Sequence, residues 1–152
     1  DVHLGQSDIP VARAREIMGE SAIIGASVST LEQARRAEED GADYVGVGSI
    51  FRTSTKPDAK QGIGLDAVFA ISHEVGIPVV AIGGINRGNI QDVIRAGADA
   101  AAVVSAVVAQ DDVRAAAHEL RDLILKIRPH VAPDARGTSL NMRMRIRGPL
   151  LS

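Results

Sequence analysis

The sequence contains no cysteine and no tryptophan, and it has one tyrosine and two phenylalanines. The lack of cysteine excludes a disulfide framework and a thiolate metal site. With 2% aromatic residues, the chain lacks the platforms on which proteins stack single-stranded bases. A net charge of −2 gives no bulk attraction to nucleic acid or to a membrane surface. Because no apolar run could span a bilayer and no secretory signal is visible, we expect a cytoplasmic protein.

The residues that are present favour layers of helix on sheet. Hydrophobic residues make up 45% of the 152 residues and charged residues 24%, which is ordinary for one globular domain. With so few aromatic residues, the core has to be built from valine, isoleucine, leucine and alanine. This mixture suits tightly packed helices on a sheet better than a sandwich of two sheets.

Apolar runs alternate with helical patterns along the chain. The runs are almost uncharged, as in strands of a parallel sheet that are buried on both faces, and strict alternation indicates an α/β fold. Ser29 and Glu32 form the S-x-x-E signature of a capping box, and Gly41 is placed to end the helix that follows. The triplet Gly-Ala-Asp recurs at 41–43 and 97–99 as a weak repeat. The pattern predicts strands at 22–26, 44–50, 79–82 and 100–104, and helices at 10–18, 29–40, 65–75, 88–96 and 112–127.

Two α/β architectures compete, and the position of the polar residues favours a TIM (β/α)8 barrel. A Rossmann sheet needs G-x-G-x-x-G at the start of a helix, and Gly46-x-Gly48 matches only part of it. In a barrel, the loops after the strands form the site, and here the polar and glycine-rich stretches follow strands. Four full strands and the end of another, near 3–5, are present, whereas closure takes about eight.

These counts set the predicted domain organisation. We expect residues 1–128 to form the C-terminal portion of a barrel, with about four to five βα units. The N-terminal barrel strands are then missing from the chain or supplied by another chain. Residues 129–152 form a tail or linker that follows the last predicted helix.

Two consecutive strands end in residues suited to an anion. Gly83-Gly84 would let a ligand approach the backbone closely, and the next strand ends at Val104-Ser105. In barrels, a phosphate often lies in the loops after the last two strands, against the N-terminus of a short helix. The alternative is that the glycines only permit a tight turn.

Two further stretches carry polar groups after strands. Thr53, Ser54 and Thr55 are followed by Lys56, and hydroxyls, backbone N–H groups and an ammonium can surround an anion; a solvated loop is the alternative. Asp8 could hold Mg²⁺ through one oxygen or cap the helix that begins near residue 10. The histidines show no metal-ligand spacing, and those at 73 and 118 are predicted to be surface residues.

The succession DVHLGQSD, IIGASVST, GADYVGVGSIF-x-TSTK, VVAIGGIN and GADAAAVVSA resembles the thiamine phosphate synthase family. The motifs occur in the family's order over residues 1 to about 127. The resemblance implies a transferase that joins hydroxymethylpyrimidine diphosphate to thiazole phosphate and releases pyrophosphate, with Mg²⁺ as cofactor. Two anion sites and a divalent cation are what this chemistry requires, so the resemblance agrees with the residues.

The resemblance also implies residue roles. Asp8 would be one of two Mg²⁺ aspartates, and the other lies before Asp1 in the family. Departures from the family occur at Ser49 and Arg52, where prolines are frequent. The implied substrate-binding residues are Ser27 and Lys56 for the pyrimidine diphosphate, with Lys56 also catalytic, and Thr53, Ser54, Thr55, Gly84, Val104 and Ser105 for the thiazole phosphate.

Other functions remain open at this point. A thiazole tautomerase is a close relative of this family, but it does not need the diphosphate lysine, so Lys56 tells against it. A noncatalytic phosphate-ligand binding segment of a larger fused protein is the third hypothesis. We expect the isolated chain to be inactive, and a homo-oligomer is compatible with the sequence.

Overall fold

The computed structural model describes residues 1–52 and 62–127, and in these residues strands alternate with helices. The predicted strands and helices are all present within a few residues of their expected bounds. One short helix, α5, was not predicted. The elements in chain order are β1 (Val2–Leu4), α1 (Val11–Met18), β2 (Ile24–Val28), α2 (Leu31–Glu39), β3 (Tyr44–Gly48), α3 (Gly64–Glu74), β4 (Val79–Ile82), α4 (Ile90–Arg95), β5 (Ala100–Ala102), α5 (Ser105–Val108) and α6 (Val113–Ile127).

The described strands form one parallel sheet in the order β1-β2-β3-β4-β5. Each strand therefore lies next to its neighbour in sequence, and the helices supply the crossovers. A Rossmann sheet reverses its strand order at a switch point, and the described sheet has no such reversal. The predicted α/β fold is confirmed, and the sheet corresponds to about five consecutive units of a (β/α)8 barrel.

The hydrophobic core lies between the helices and one face of this sheet. Alternate strand residues, among them Ile24, Val45 and Val79, are fully buried and pack with helix residues such as Val68 and Val93. Because successive strand side chains point to opposite faces, the intervening residues share the second face, which we call the inner face. The inner face carries His3, Gly25, Ser27, Tyr44 and Gly46.

The Gly-Ala-Asp repeat has a structural cause at the amino ends of the strands. Gly41 and Gly97 have φ of 93° and 107°, the left-handed conformation that ends a helix. Two residues later, the Asp43 carboxylate accepts the backbone N–H of Ile24 at 2.7 Å. The Asp99 carboxylate accepts the N–H of Val79 at 2.9 Å. Each copy thus ends a helix and fixes the start of the preceding strand.

Among the predictions that differ from the structure by one or two residues, two are explained by side-chain hydrogen bonds. The N-cap of α2 is Thr30, whose side chain accepts the N–H of Gln33 at 3.2 Å, rather than Ser29. The Ser29 N–H and hydroxyl donate to the Gln33 side-chain oxygen, so Gln33 takes the place predicted for Glu32 and bonds with both Ser29 and Thr30. Strand β2 starts at Ile24 rather than residue 22 because the Ala22 carbonyl accepts from Arg15 Nη1 at 2.6 Å.

The last described helix, α6, is amphipathic. Leu120 is buried, and Leu123 and Ile124 pack against the core, whereas His118 is exposed. His73 on α3 is exposed as well, so both histidines are surface residues as predicted. Among the helices within residues 1–52 and 62–127, none has the length and apolar character needed to cross a membrane.

Candidate active site

The predicted site residues that the structure describes all lie at one edge of the sheet. Because the strands are parallel, their carboxyl ends meet there, as in the catalytic face of a barrel. Asp8 follows β1, Ser27 is the last but one residue of β2, Gly84 follows β4, and Val104 and Ser105 follow β5. The remaining predicted site residues, Thr53, Ser54, Thr55 and Lys56, lie outside the described residues.

Asp8 is held by its own loop and does not cap α1. Its Oδ2 accepts the backbone N–H of Gly5 at 2.6 Å, and its N–H donates to the Gly5 carbonyl at 3.1 Å. The N-cap of α1 is Pro10, which makes no side-chain capping bond, so the capping alternative for Asp8 was wrong. The carboxylate is exposed and anchored through one oxygen.

This geometry fits a magnesium ion that takes few ligands from protein. Mg²⁺ is usually bound through one or two carboxylates together with waters and substrate phosphates. Across residues 1–52 and 62–127, no three histidine or carboxylate side chains converge to form a metal cage. Asp8 therefore fits the role of one of the one or two carboxylates through which a magnesium ion would be held.

Ser27 belongs to a hydrogen-bonded cluster on the inner face. His3 Nε2 lies 2.8 Å from Ser27 Oγ, and His3 Nδ1 lies 3.0 Å from the Tyr44 hydroxyl. The Gln6 side chain donates to the Ser27 carbonyl at 2.6 Å. The loop after β1 and the end of β2 are thus joined by this hydrogen bond.

Two glycines make room for the rings of this cluster. A Cβ at Gly25 would collide with the Tyr44 ring, and a Cβ at Gly46 would lie 3.0 Å from His3 Cε1. His3 and Tyr44 were not predicted as site residues. The sequence signal for each of them is a polar ring in an otherwise apolar strand. This signal does not show that the two rings meet, because their contact depends on the register of three strands.

The Gly83-Gly84 turn packs against Phe51 and Arg52, which follow β3. Both residues have positive φ, 104° and 65°, and Phe51 N–H donates to the Gly83 carbonyl at 3.1 Å. A Cβ at Gly84 would lie 2.8 Å from the Arg52 carbonyl oxygen. The glycines therefore do more than permit a tight turn, since they let the chain after β3 cross the end of β4.

The residues after β5 come out beside this turn. Ile82 pairs with Ala102, so the residues that follow β4 and β5 leave the sheet on neighbouring strands, about 4.8 Å apart. Val104 is 52% exposed, and Ser105 is the exposed first residue of α5. The predicted pair of strand ends is thus adjacent in space.

A cavity of about 410 Å³ lies at the opposite edge of the sheet, between the ends of α3 and α4. Its polar lining is already engaged, because Ser72 Oγ donates to the Ala96 carbonyl and Asp99 accepts from Val79. Arg95 pairs with Asp92 at 2.8 Å. This edge fits the stabilising role of the amino-terminal face of a barrel, whereas the predicted site lies at the carboxyl edge.

The described strands form a parallel sheet in sequence order, and the glycine turns and polar side chains lie at its carboxyl edge. This arrangement is that of a (β/α) barrel. A family model described as thiamine monophosphate synthase matches residues 1–107, and the chain belongs to this family. A thiamine-phosphate synthase of Chloroflexus aurantiacus is 59% identical over 123 residues, which are 81% of this chain and 56% of the relative. One of Methanocella arvoryzae is 52% identical over 127 residues, 84% of this chain and 60% of the relative.

Solved structures give the same fold. A thiamine phosphate pyrophosphorylase from Pyrococcus furiosus superposes with a TM-score of 0.74 at 48% identity, over 82% of this chain and 59% of that one. A 3-hexulose-6-phosphate synthase superposes with a TM-score of 0.60 at 22% identity, over 80% and 60%, which is a likeness of fold alone. The chain thus spans somewhat more than half the length of the relatives it matches.

Proposed function

We propose that this chain contributes carboxyl-edge binding residues to a thiamine phosphate synthase. The enzyme would join hydroxymethylpyrimidine diphosphate to thiazole phosphate, giving thiamine phosphate and pyrophosphate. The observation that carries the proposal is the high identity to relatives named for this activity over most of the chain. The common position of the described candidate residues at one edge of the sheet supports it.

The thiazole phosphate would bind at the ends of β4 and β5, against Gly84, Val104 and Ser105. The positive φ of Gly84 and the in-register strands support this assignment. Thr53, Ser54 and Thr55, which follow β3 in the sequence, would also contact the phosphate. Small hydroxyl residues can bind an anion in this way because each supplies a donor that rotates to suit the ligand.

The pyrimidine diphosphate would bind nearer β1 and β2. Ser27 would donate its hydroxyl to the ligand, and Lys56 would place its ammonium on the diphosphate as a compact point charge. Asp8 would hold Mg²⁺ through the carboxylate oxygen that does not bond to Gly5. When bound, the ion supplies positive charge that stabilises the departing pyrophosphate.

The coupling step needs little covalent participation from the protein. The bond between the pyrimidine methylene carbon and the diphosphate oxygen breaks, and its electron pair leaves with pyrophosphate. The resulting pyrimidine-methyl cation is captured by the lone pair of the thiazole nitrogen, which forms the new carbon–nitrogen bond. Lys56 would act where negative charge grows on the leaving group, which is where fixed electrostatic groups contribute most to rate.

The proposal is tested with an intact protein that carries this sequence. Mixing it with both substrates and Mg²⁺ should release pyrophosphate and thiamine phosphate in equal amounts. Thiazole phosphate alone should slow amide hydrogen exchange at 83–84 and 104–105. Absence of coupling would overturn the function, and coupling without protection of either segment would overturn the placement of the phosphate.

A further inference from the structure

His3 lies at the centre of the inner-face cluster, between Tyr44 and Ser27, and its protonated nitrogen determines the direction of both hydrogen bonds. Its two ring nitrogens lie within hydrogen-bond distance of two different hydroxyls, those of Tyr44 and Ser27. A neutral imidazole has one N–H donor and one acceptor nitrogen, so the proton on His3 lies toward one hydroxyl or toward the other. The two tautomers give Ser27 opposite roles.

With the proton on Nδ1, His3 donates to Tyr44 and accepts the Ser27 hydroxyl proton. Ser27 then has no proton to offer a ligand. With the proton on Nε2, His3 donates to Ser27 Oγ, and the Ser27 O–H is free to donate outward. The second arrangement requires an acceptor role for Nδ1, which the Tyr44 O–H satisfies at 3.0 Å.

We propose that Tyr44 is a positioning residue that fixes this second tautomer and so makes Ser27 a hydrogen-bond donor to an anionic ligand. The inference rests on the proposed function, in which Ser27 faces a diphosphate that can only accept hydrogen bonds. The bond made by one ring nitrogen biases the tautomer of a histidine. Both hydroxyls can donate or accept, but a phenol is a stronger donor and a weaker acceptor than an aliphatic hydroxyl, so Tyr44 favours an unprotonated Nδ1. Tyr44 itself would not touch the ligand.

The packing of the His3 and Tyr44 rings holds the two side chains in a fixed relative position. The His3 and Tyr44 ring centroids are 5.5 Å apart with their planes inclined by 31°. Gly25 and Gly46 leave space under the rings that any side chain would fill. The ring of Tyr44 on β3 is therefore held over Gly25 of β2, and its hydroxyl reaches His3 on β1.

The tautomer is measured directly by nitrogen NMR of the intact protein labelled at histidine, at alkaline pH where imidazoles are neutral. The His3 signals are assigned by their loss in His3→Gln. We expect a protonated Nε2 and an unprotonated Nδ1 in the parent protein, and a mixture of tautomers in Tyr44→Phe. A protonated Nδ1 in the parent protein would overturn the proposal, whether or not the protein couples the two substrates.

A double-mutant cycle separates positioning from a general structural role. Tyr44→Phe should raise the KM for pyrimidine diphosphate about three- to tenfold, the effect of one neutral hydrogen bond, and leave the KM for thiazole phosphate unchanged. In a Ser27→Ala background the same change should have no further effect, because Tyr44 acts only through Ser27. Ser72→Ala, a hydroxyl removed at the opposite edge, is the control. An undiminished effect in the Ser27→Ala background would overturn the proposal.

Discussion

The Arg15 guanidinium on α1 lies 2.6 Å from the Asp43 carboxylate at the start of β3. The arginine side chain is only 13% exposed. It also donates to the carbonyl oxygens of Gly19, Ala22 and Gly41. One cation thus ties together the ends of two helices and the starts of two strands, at the edge of the sheet opposite the candidate site.

Replacing this guanidinium should destabilise the protein without involving the site. Arg15→Ala leaves part-buried carbonyl groups without donors, and we expect a loss of about 2–3 kcal/mol in the free energy of unfolding. Arg13→Ala is the matched control, since its pair with Glu16 is more than half exposed on both sides and should contribute less than about 1 kcal/mol. Urea denaturation of the two variants measures the difference, and equal losses would contradict the role given to Arg15.

The Gly-Ala-Asp repeat gives a matched pair of glycine substitutions. Gly41 and Gly97 both have positive φ, so alanine at each should cost about 1–2 kcal/mol of backbone strain. A Cβ at Gly41 meets only Arg15, at 3.7 Å, but at Gly97 it collides with the Ser72 hydroxyl.

Gly97→Ala should therefore destabilise more than Gly41→Ala, and Ser72→Ala in the same chain should recover part of the loss. The melting temperatures of the two glycine variants, of Ser72→Ala and of the Gly97→Ala/Ser72→Ala double variant test this order. Equal losses at Gly41 and Gly97 would show that the contact with Ser72 carries no energy.

The sequence predicted the sheet because its signals are local and repeated. Apolar strands without charge, glycines after helices and polar residues after strands each indicate the same parallel arrangement, and the carboxyl edge follows from it. The two Gly-Ala-Asp segments could be recognised as a repeat. Their role at the strand starts could not be predicted, because it depends on a contact between strands. The Asp43 carboxylate at the start of one strand accepts the N–H of Ile24 on the neighbouring strand.

What sequence reasoning missed depends on competition between neighbours or on register. Ser29 and Thr30 are both good N-cap residues, and the sequence does not decide which one adopts the cap. The short helix α5 begins without a side-chain cap, so the sequence carries no N-cap signal from which to predict it. His3, Ser27 and Tyr44 meet only because Gly25 pairs with His3 and with Tyr44 in adjacent strands.

Neutralising Asp8 should weaken magnesium activation and leave the fold intact. Asp8→Asn keeps an oxygen that can accept the Gly5 N–H but removes the charge that would hold the ion. We expect the intact protein to need at least tenfold more Mg²⁺ for half-maximal coupling, with an unchanged melting temperature. Asp40→Asn, at the end of α2, is the control. An unchanged Mg²⁺ requirement in Asp8→Asn would exclude Asp8 as a ligand.

The segment that follows β3 in the sequence offers a matched pair of lysines, with which the proposed role of a lysine charge in the departure of pyrophosphate can be tested. Lys56 and Lys60 lie four residues apart in sequence, and only Lys56 stands in the T-S-T-K motif. A group that meets charge developing in the transition state changes the rate more than it changes ground-state binding. The loss of one such contact typically lowers the rate by about 10²–10³.

The deciding measurement is the coupling rate of Lys56→Ala against that of Lys60→Ala in the intact protein, with the dissociation constant of thiazole phosphate determined for both. We predict that Lys56→Ala loses about 10²–10³ in kcat with little change in thiazole phosphate affinity, and that Lys60→Ala stays close to the parent. Unchanged turnover in Lys56→Ala, or an equal loss in both variants, would contradict the account.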